Sequence, residues 1–429
     1  MLDRTETPAI EPIRAAAPPA RRRFSVIAPF QIRSFRFQWS ADLLTSWAFE
    51  METIILGWYV LVETRSVLWL TMFGAVLYLG TLVAPLFGVA GDRLGHRNVL
   101  LGMRVAYAVF AGTLLMLALA GAVTPLVVLV ISCFVGMVRP SDLGVRSALV
   151  ADNMPPDRLI PAMSIARTTS DSARVAGALA GASIFEAFGL APAYVMVTCF
   201  YVLGALLMLG VPQPVRQVSL AMTPGDPNPS AWFDLKAGVV KVRDTPTLLA
   251  LVSLAFLANL TAFPLTNGLL PYVAKNIYAI DQTGLGLLVA AFASGALVGS
   301  IVLSHAGGNV ALPRLMIVGT LVWYALLLIF AQMPGAIGGA ICLLLAGFMQ
   351  TFCMVPLSII LLRAAGEKFR GRVMGVRMMA IYSLPLGLLA AGPLIDWFSW
   401  RATASLYATI GLIFTMIIAL RWRAEVWRA

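Results

Sequence analysis

The sequence is poor in charged residues for its length. They make up 12% of its 429 residues, whereas hydrophobic residues make up 60%. A soluble globular chain carries about a quarter charged residues, so this composition excludes a soluble globular protein and predicts a membrane protein with many spans. Lysine is the rarest of the charged residues, and no lysine lies in the GxxxxGK context of a phosphate-binding loop. Hydrolysis of ATP within this chain is therefore not expected.

Cysteine and histidine are also few. The four cysteines lie inside apolar runs without CxxC spacing, so we interpret them as small core residues and expect neither a metal centre nor any other cofactor. His96 and His305 lie in or beside short predicted loops, which argues against a histidine relay within the membrane. The net charge is +11, but the basic residues are scattered between apolar runs, so nucleic acid is not predicted as a partner.

Apolar segments long enough to cross a bilayer account for most of the chain. Their limits, set by glycine and proline, predict twelve helices at about 37–62, 67–90, 98–120, 122–145, 160–188, 190–211, 246–272, 281–304, 311–332, 335–362, 372–398 and 400–421. The predicted domains are a disordered cytoplasmic tail (1–35), a six-helix bundle (36–212), a cytoplasmic linker with an amphipathic helix (213–244), a second six-helix bundle (245–422) and a short tail (423–429). The fold class is an all-α membrane protein.

Basic residues indicate which way the chain crosses the membrane. If the N-terminus is cytoplasmic, almost all lysines and arginines fall in segments on the cytoplasmic side; the exceptions are Arg65, Arg174, Lys275 and Arg401. An excess of basic residues marks the cytoplasmic side of membrane proteins. Both termini are therefore predicted to be cytoplasmic.

The two halves of the sequence resemble each other. A shift of 210 residues aligns Arg167 with Arg377 and places Glu186 on Asp396. This repeat predicts two parallel six-helix bundles, with a substrate path between them near the middle of the bilayer.

A dense charge cluster, GVAGDRLGHRN, begins at Gly88 and falls in the predicted turn between helices 2 and 3. Gly88 allows close backbone approach, and Gly95 supplies a tight turn. Asp92 can lie against the positive N-terminal end of another helix, and Arg93 and Arg97 can bind acids or helix C-termini. The alternative is that both arginines only mark the cytoplasmic side of the membrane.

This cluster resembles the signature of the major facilitator superfamily, which lies between the second and third helices in that family. ILGWYVLVETRS (55–66), WFDLKAGVVKVRDTP (232–246) and FRGRVMGVR (369–377) are similar to segments of bacterial twelve-helix exporters, including enterobactin and macrolide exporters. The resemblance covers residues 33–423 and implies the major facilitator fold, with twelve transmembrane helices in two bundles, in the bacterial inner membrane.

The resemblance also implies a role for the signature residues. In the family, the signature aspartate and its basic neighbours latch the cytoplasmic ends of the two halves when the cavity faces outward. That role is carried to Asp92, Arg93 and Arg97, with Gly88 and Gly95 shaping the turn. The matching turn of the second half, 303–314, has no acid, so a latch is expected on one side only.

Helix 5 carries a small-residue stretch that is similar to the glycine-rich antiporter motif of the superfamily. Gly177 and Gly181 match it, but Ala178 and Ala182 stand where the motif commonly has proline and glycine. We interpret the stretch first as a close-packing surface between helices.

Acids within predicted spans are candidates for proton coupling, because a charge in the membrane is costly. Helix 1 carries Asp42, Glu50 and Glu52. At about 100° per residue, Glu50 and Glu52 point about 160° apart, so only one can face the pore, and we favour Glu52. The alternative is that both are structural acids shielded from lipid. Asp171 on helix 5 is a further candidate.

Arginines and asparagines are candidates for lining the cavity. Arg167 and Arg174 flank Asp171 on one helical face, either as an exchangeable set or as a static ion network. Arg377, the repeat mate of Arg167, is expected to face it and attract anionic groups. On helix 7, Asn259 and Asn267 lie near helix-breaking prolines and are expected to line the path. A further set at the end of helix 4 is interpreted as structural or gating: Arg139, Asp142 and Arg146.

The favoured hypothesis is proton-driven export of a small amphipathic organic molecule, for which the resemblance suggests a siderophore or a hydrophobic antibiotic. The partners are then that substrate, protons and the lipid bilayer. An importer with the same fold and a non-transporting scaffold or sensor are the alternatives. An enzyme is not expected, because no nucleophile and base pair or metal-ligand spacing occurs.

Overall fold

The structure, a computed structural model, describes residues 28–81, 84–213, 231–305, 311–366 and 369–423, and within these residues every regular element is a helix. The α-helices are α1 (Arg33–Thr64), α2 (Val67–Val76), α3 (Ala84–Leu94), α4 (His96–Leu119), α5 (Pro125–Asn153), α6 (Pro156–Phe188), α7 (Leu190–Leu209), α8 (Ala231–Asp244), α9 (Pro246–Leu257), α10 (Leu270–Tyr272), α11 (Gln282–His305), α12 (Leu312–Gln332), α13 (Ala336–Ala365), α14 (Arg370–Ala380), α15 (Ser383–Phe398) and α16 (Trp400–Arg421).

These helices form two bundles of six, joined by α8. In the described part of the chain, nine helices are long and apolar enough to cross a membrane. α1, the α2–α3 pair and α6 are the remaining members of the N-terminal bundle. Each half has a large hydrophobic core, and the core of the C-terminal half extends to Ile54, Val67, Ala178 and Ala182 of the N-terminal half. The all-helical fold with two six-helix bundles confirms the fold class predicted from the apolar runs.

Helix 2 is broken, although the sequence predicted one continuous helix over 67–90. The break between α2 and α3 lies against α5, where Gly80 and Gly136 leave no room for side chains between the two backbones. Pro85 then stands in the first turn of α3, where its missing N–H is tolerated. The break is set by this tertiary contact, which the apolar pattern does not encode.

Helices 7 and 11 are also interrupted. Helix 7 passes through π-helical turns at Ala258–Ala262, Pro264–Gly268 and Val273–Ile277, around the prolines that predicted its distortion. Helix 11, predicted as continuous over 372–398, divides into α14 and α15 at residues 381–382.

The N-terminal segment is ordered earlier than predicted. Residues 1–27 lie outside the described part, as do 214–230 of the linker and 424–429 of the second tail. Residues 28–35, predicted as part of a disordered tail, form a 3-10 turn and the start of α1. The reason is an aromatic contact, because the ring of Phe30 packs 5.3 Å from that of Phe35 and 5.0 Å from that of Trp39.

The two halves meet on the side away from α8, called here the far side; the side that carries α8 is the linker side. The main contacts between halves join α6 to α11 and α2 to α15. Gly286 of α11 lies against Ala182, and Gly392 of α15 lies against Leu68. On the linker side, α3 packs on α4 and α5, and α14 packs on α8, α9 and α13. The space between the halves is therefore closed on the far side.

Candidate functional site

The signature turn ties together three helices on the linker side. Gly95 joins α3 to α4 with φ +86°, a backbone conformation that favours glycine. His96 Nδ1 lies 2.7 Å from Asp152 Oδ2 at the end of α5. Arg97 donates hydrogen bonds to the carbonyl oxygens of Val211 (2.5 Å) and Leu209 (3.1 Å), at the end of α7. Arg97 thus binds the C-terminal end of α7, a helix of its own bundle.

The remaining signature residues are less constrained. Arg93 is exposed. Gly88 and Asp92 lie within α3, but the side chain of Asp92 lies outside those that the structure describes. The charge partner assigned to Asp92 therefore stays a prediction.

A buried charge group, made of Asp42, Arg104, Asp142 and Arg146, crosses the N-terminal bundle. Arg104 is fully buried, with Nη2 2.7 Å from Asp42 Oδ1 and Nη1 3.0 Å from Asp142 Oδ1. Arg146 Nε lies 3.8 Å from Asp42 Oδ2. Two acids and two bases balance each other, which is the condition under which charges are tolerated in an apolar core.

Sequence reasoning missed the central member of this group. Arg104 was counted with the basic residues near the cytoplasmic turn, although it lies eight residues inside α4. Its position within an apolar run was the signal that could have found it. Asp42 was treated as a proton candidate and Asp142 as part of a separate set; the structure joins them through Arg104.

Glu52 lies inside the N-terminal bundle. The hydroxyl of Tyr201 donates a hydrogen bond to Glu52 Oε2 (2.8 Å), and that of Tyr194 lies 3.4 Å from Oε1. Both tyrosines come from α7 and are buried with Glu52. The expectation that Glu52 faces the pore was therefore wrong, because α1 presents that side to α7.

Glu50 points the other way, toward α6. Its Oε1 lies 3.8 Å from Arg174 Nε, and its side chain is 22% exposed. Arg174 was grouped with Asp171 in the sequence, but among the described residues Asp171 pairs with Arg167, with Nε to Oδ2 at 3.1 Å. The predicted triad is split, because Arg174 reaches across to α1.

Arg139 lies apart from Asp142 and Arg146, with which the sequence analysis grouped it. Its guanidinium lies 4.6 Å from the centre of the Phe49 ring and donates to Thr53 Oγ1 at 2.8 Å. It stands beside the middle of α1, within electrostatic range of Glu50 and Glu52. Asp142 and Arg146 belong instead to the buried charge group.

Arg377, the repeat mate of Arg167, lies on α14 of the C-terminal half. It is half-buried on α14 and lies within electrostatic range of Arg167 and Cys353. In the described part of the chain, no carboxylate lies within ion-pair distance of it. That the two arginines face each other across the cavity stays a prediction.

The family model described as Major Facilitator Superfamily matches residues 43–267 and 252–428. The chain belongs to the major facilitator superfamily. Members of this family are multi-pass membrane transporters, a class that is generally non-enzymatic. No curated protein matches the sequence.

Solved structures of major facilitator transporters share the fold. Nucleoside transporter NupG superposes with a TM-score of 0.68 at 12% identity, over 91% of this chain and 100% of its own. The human organic anion transporter MFSD10 gives 0.65 at 16%, over 90% and 99%. A D-xylose-proton symporter gives 0.66 at 14%, over 90% and 97%. At these identities the likeness shows the fold alone.

The two asparagines of helix 7 that were predicted to line the substrate path lie in different surroundings on this major facilitator fold. Asn267 is exposed and lines a small pocket between the halves with Thr53 and Leu388. Asn259 instead donates to the carbonyl oxygen of Ala255 in its own helix at 2.9 Å.

The small residues of predicted helix 5, which is α6 in the structure, lie where α6 contacts α1. At Gly177 and Gly181, α6 approaches the backbone of α1 near Trp47 and Met51. Side chains at these two positions would separate the helices, since each added Cβ would lie 3.0 Å or less from atoms of α1.

Proposed function

We propose that the protein is a proton-driven exporter of a small amphipathic organic molecule, working by alternating access of its two bundles. The observation that carries the proposal is Glu52, a carboxyl buried in the N-terminal bundle and held by two tyrosine hydroxyls. Among the described residues, no cation lies within ion-pair distance of it, although Arg139 is within electrostatic range. A carboxyl so placed is sensitive to any movement of the groups around it.

Proton binding at Glu52 is linked to the orientation of the bundles through α1. Glu52 faces α7, whereas the opposite side of α1 packs on α6 at Gly177 and Gly181. α6 in turn contacts α11 of the other half. A proton that favours one packing of α1 therefore favours one orientation of the bundles. Asp42, Glu50 and Asp171 are the alternative coupling acids.

The other assignments belong to the same proposal. The protein lies in the bacterial inner membrane with both termini cytoplasmic, so that the linker side is the cytoplasmic side. Asp92, Arg93 and Arg97, with Gly88 and Gly95, form the latch that closes this side when the cavity faces outward. A siderophore or a hydrophobic antibiotic is the proposed substrate class, supported by the resemblance to the enterobactin and macrolide exporter branch.

An untargeted mass-spectrometric comparison of cells and medium tests the function. The gene is deleted, then restored as wild type or as Glu52→Gln, which keeps a hydrogen-bond acceptor but cannot release a proton. We expect a compound to accumulate in deleted cells and return to the medium with wild type only. Unchanged export by the Gln variant, or export that persists under an uncoupler, would contradict proton coupling at Glu52.

Import is the second candidate, because the nucleoside transporter and the D-xylose-proton symporter share the fold. The same comparison separates the two directions. A compound that stays in the medium after deletion and is depleted on restoration identifies an importer.

A further inference from the structure

A groove opens on the linker side of the N-terminal bundle, where α1 and α4 begin and α7 ends. Its volume is about 560 Å³, and all three segments contribute residues to its lining. Sites for small ligands in proteins commonly have volumes of about 300–1,000 Å³. The groove is therefore large enough to hold a small ligand or the headgroup of a lipid.

Two arginines line this groove. Arg33 is exposed at the first residue of α1, and Arg97 is half-buried in the first turn of α4. Both residues border the same space, and the lining contains no acid. Among the side chains that the structure describes, neither arginine forms an ion pair with a carboxylate. The groove thus carries two positive charges without a described counter-charge, which favours an anionic ligand.

Hydrogen bonds hold the guanidinium of Arg97 at the end of α7. Its Nε and Nη2 donate to the carbonyl oxygens of Val211 and Leu209, and its Nη1 donates to Asn98 Oδ1 at 3.2 Å. These acceptors carry no net charge. A guanidinium has more N–H groups than these three bonds use, so Arg97 can still donate to a ligand in the groove.

An aromatic contact holds Arg33 on the other side of the same segment. Its guanidinium carbon lies 5.7 Å from the centre of the Phe37 ring. The Phe37 ring packs on Gly210, where an added Cβ would lie 2.6 Å from it. The ring stabilises the cation but accepts no conventional hydrogen bond, so the N–H groups of Arg33 are available to a ligand.

An apolar strip runs along α7 from the groove into the membrane. Val202, Leu206 and Leu209 are exposed, and their spacing places them on one face of the helix. Leu209 also lines the groove. A phospholipid has the matching arrangement, with a phosphate at the membrane boundary and acyl chains below it, and basic pockets between membrane helices bind lipid headgroups. Free phosphate would use the arginines but not the strip.

We propose that this groove binds the headgroup of an anionic phospholipid, with Arg33 and Arg97 donating hydrogen bonds to the phosphate and the acyl chains lying along α7. The site is separate from the proposed substrate path and is the same for an exporter and an importer. Because Arg97 belongs to the signature turn, the bound lipid joins the start of α1 to that turn.

Lipid binding to the purified full-length protein in a neutral detergent tests the site. The probes are dioctanoyl phosphatidylglycerol and dioctanoyl phosphatidylcholine, which share their acyl chains and differ in net charge. Inorganic phosphate and glycerol 3-phosphate supply the anion without the chains. Thermal unfolding reports binding as a concentration-dependent rise in Tm. We expect phosphatidylglycerol to stabilise the protein at lower concentration than the other three probes.

The variants assign the effect to the two arginines. In Arg33→Gln and in Arg97→Gln, the affinity for phosphatidylglycerol should fall by about fivefold, and Arg33→Lys should retain most of it. The matched control is Arg314→Gln, an exposed arginine in the first turn of α12 that lies outside the groove, and it should bind as the wild type does. Arg33→Gln removes an exposed side chain, so the test stands even if Arg97→Gln lowers stability.

Equal stabilisation by phosphatidylglycerol and phosphatidylcholine would overturn the site, as would unchanged affinity for phosphatidylglycerol in both Gln variants. Stabilisation by inorganic phosphate or glycerol 3-phosphate at the same concentration as by phosphatidylglycerol would show that the groove takes a free anion, and would overturn the assignment to a lipid.

Discussion

The two halves share one architecture but differ in what they bury. Within the described residues, every buried charged side chain belongs to the N-terminal half: Asp42, Glu52, Arg104, Asp142 and Arg146. The buried polar residues of the C-terminal half are neutral, mostly threonines. There, α11 and α13 approach backbone to backbone at Gly295, Gly299 and Gly347. Close glycine contacts thus occur in both halves, but among the described residues only the N-terminal half adds a buried group of balanced charge.

The halves also differ in their acids. Among the described residues, the acids buried in the membrane-spanning helices lie in the N-terminal half, whereas the C-terminal half carries Arg377, with no described carboxylate within ion-pair distance, and a helix 7 distorted by π-helical turns. A repeat of structure does not require a repeat of chemistry. Substitutions in one half that have a counterpart in the other half test this difference.

The largest effect is expected for Arg104→Met. It leaves Asp42 and Asp142 buried without their shared cation, which should lower the free energy of unfolding by about 3–5 kcal/mol. The measurement is thermal unfolding of the detergent-purified protein. Adding Asp42→Asn and Asp142→Asn should recover part of the loss. The counterpart Arg377→Met removes no ion pair among the described residues and should change stability little. Equal losses in the two variants would contradict the difference between the halves.

Gly347→Ala should have the next largest effect. The added methyl meets the backbone of α11 near Phe292 and should cost about 1–3 kcal/mol, measured as a lower Tm. Gly102→Ala is the control, because nothing lies within 4 Å of a Cβ there. Alanine is the better helix former, so this control should gain up to about 1 kcal/mol. A Gly347→Ala protein as stable as the control would contradict glycine packing in the C-terminal half.

A smaller effect is expected for Arg97→Gln. The variant loses charged hydrogen bonds to the last carbonyl groups of α7, a contact worth about 1 kcal/mol at a partly exposed site. Hydrogen exchange of the amides near Leu209 should then become faster. Arg314→Gln, near the start of α12 in the other half, removes an exposed arginine and should leave exchange near its own turn unchanged. Similar changes in hydrogen exchange in both variants would show that the turn between α3 and α4 has no special role.

Much of the fold could be predicted from the sequence because its signals are local. Apolar runs, glycine turns and basic residues between them determine helices and their order. The break in helix 2 could not be predicted, since it depends on Gly80 meeting α5 in space.

The candidate site was less predictable than the fold. The angle per residue of a helix predicted that Glu50 and Glu52 point in different directions. It did not predict which neighbouring helix each side chain would contact. Spacing along α6 grouped Arg174 with Asp171, whereas distance pairs it with Glu50 on α1. Arg104 was missed because a basic residue near a turn was assigned to topology alone.

A distance measurement across the linker side as a function of pH tests whether proton binding at Glu52 sets the orientation of the bundles. Spin labels at Leu94→Cys and Arg363→Cys, exposed positions on the two halves, are placed in a protein whose four native cysteines are replaced by alanine. Double electron–electron resonance then compares about pH 5.5 with about pH 8, which bracket the titration of many buried carboxyls.

The groups around Glu52 are Tyr194 and Tyr201 of α7, Tyr107 of α4 and Arg139 of α5. If proton binding at Glu52 sets the orientation of the bundles, the distance distribution shifts between the two pH values with Glu52 present and is the same at both in Glu52→Gln. A shift that persists in Glu52→Gln, or no shift in the protein that retains Glu52, would show that Glu52 does not set the orientation of the bundles.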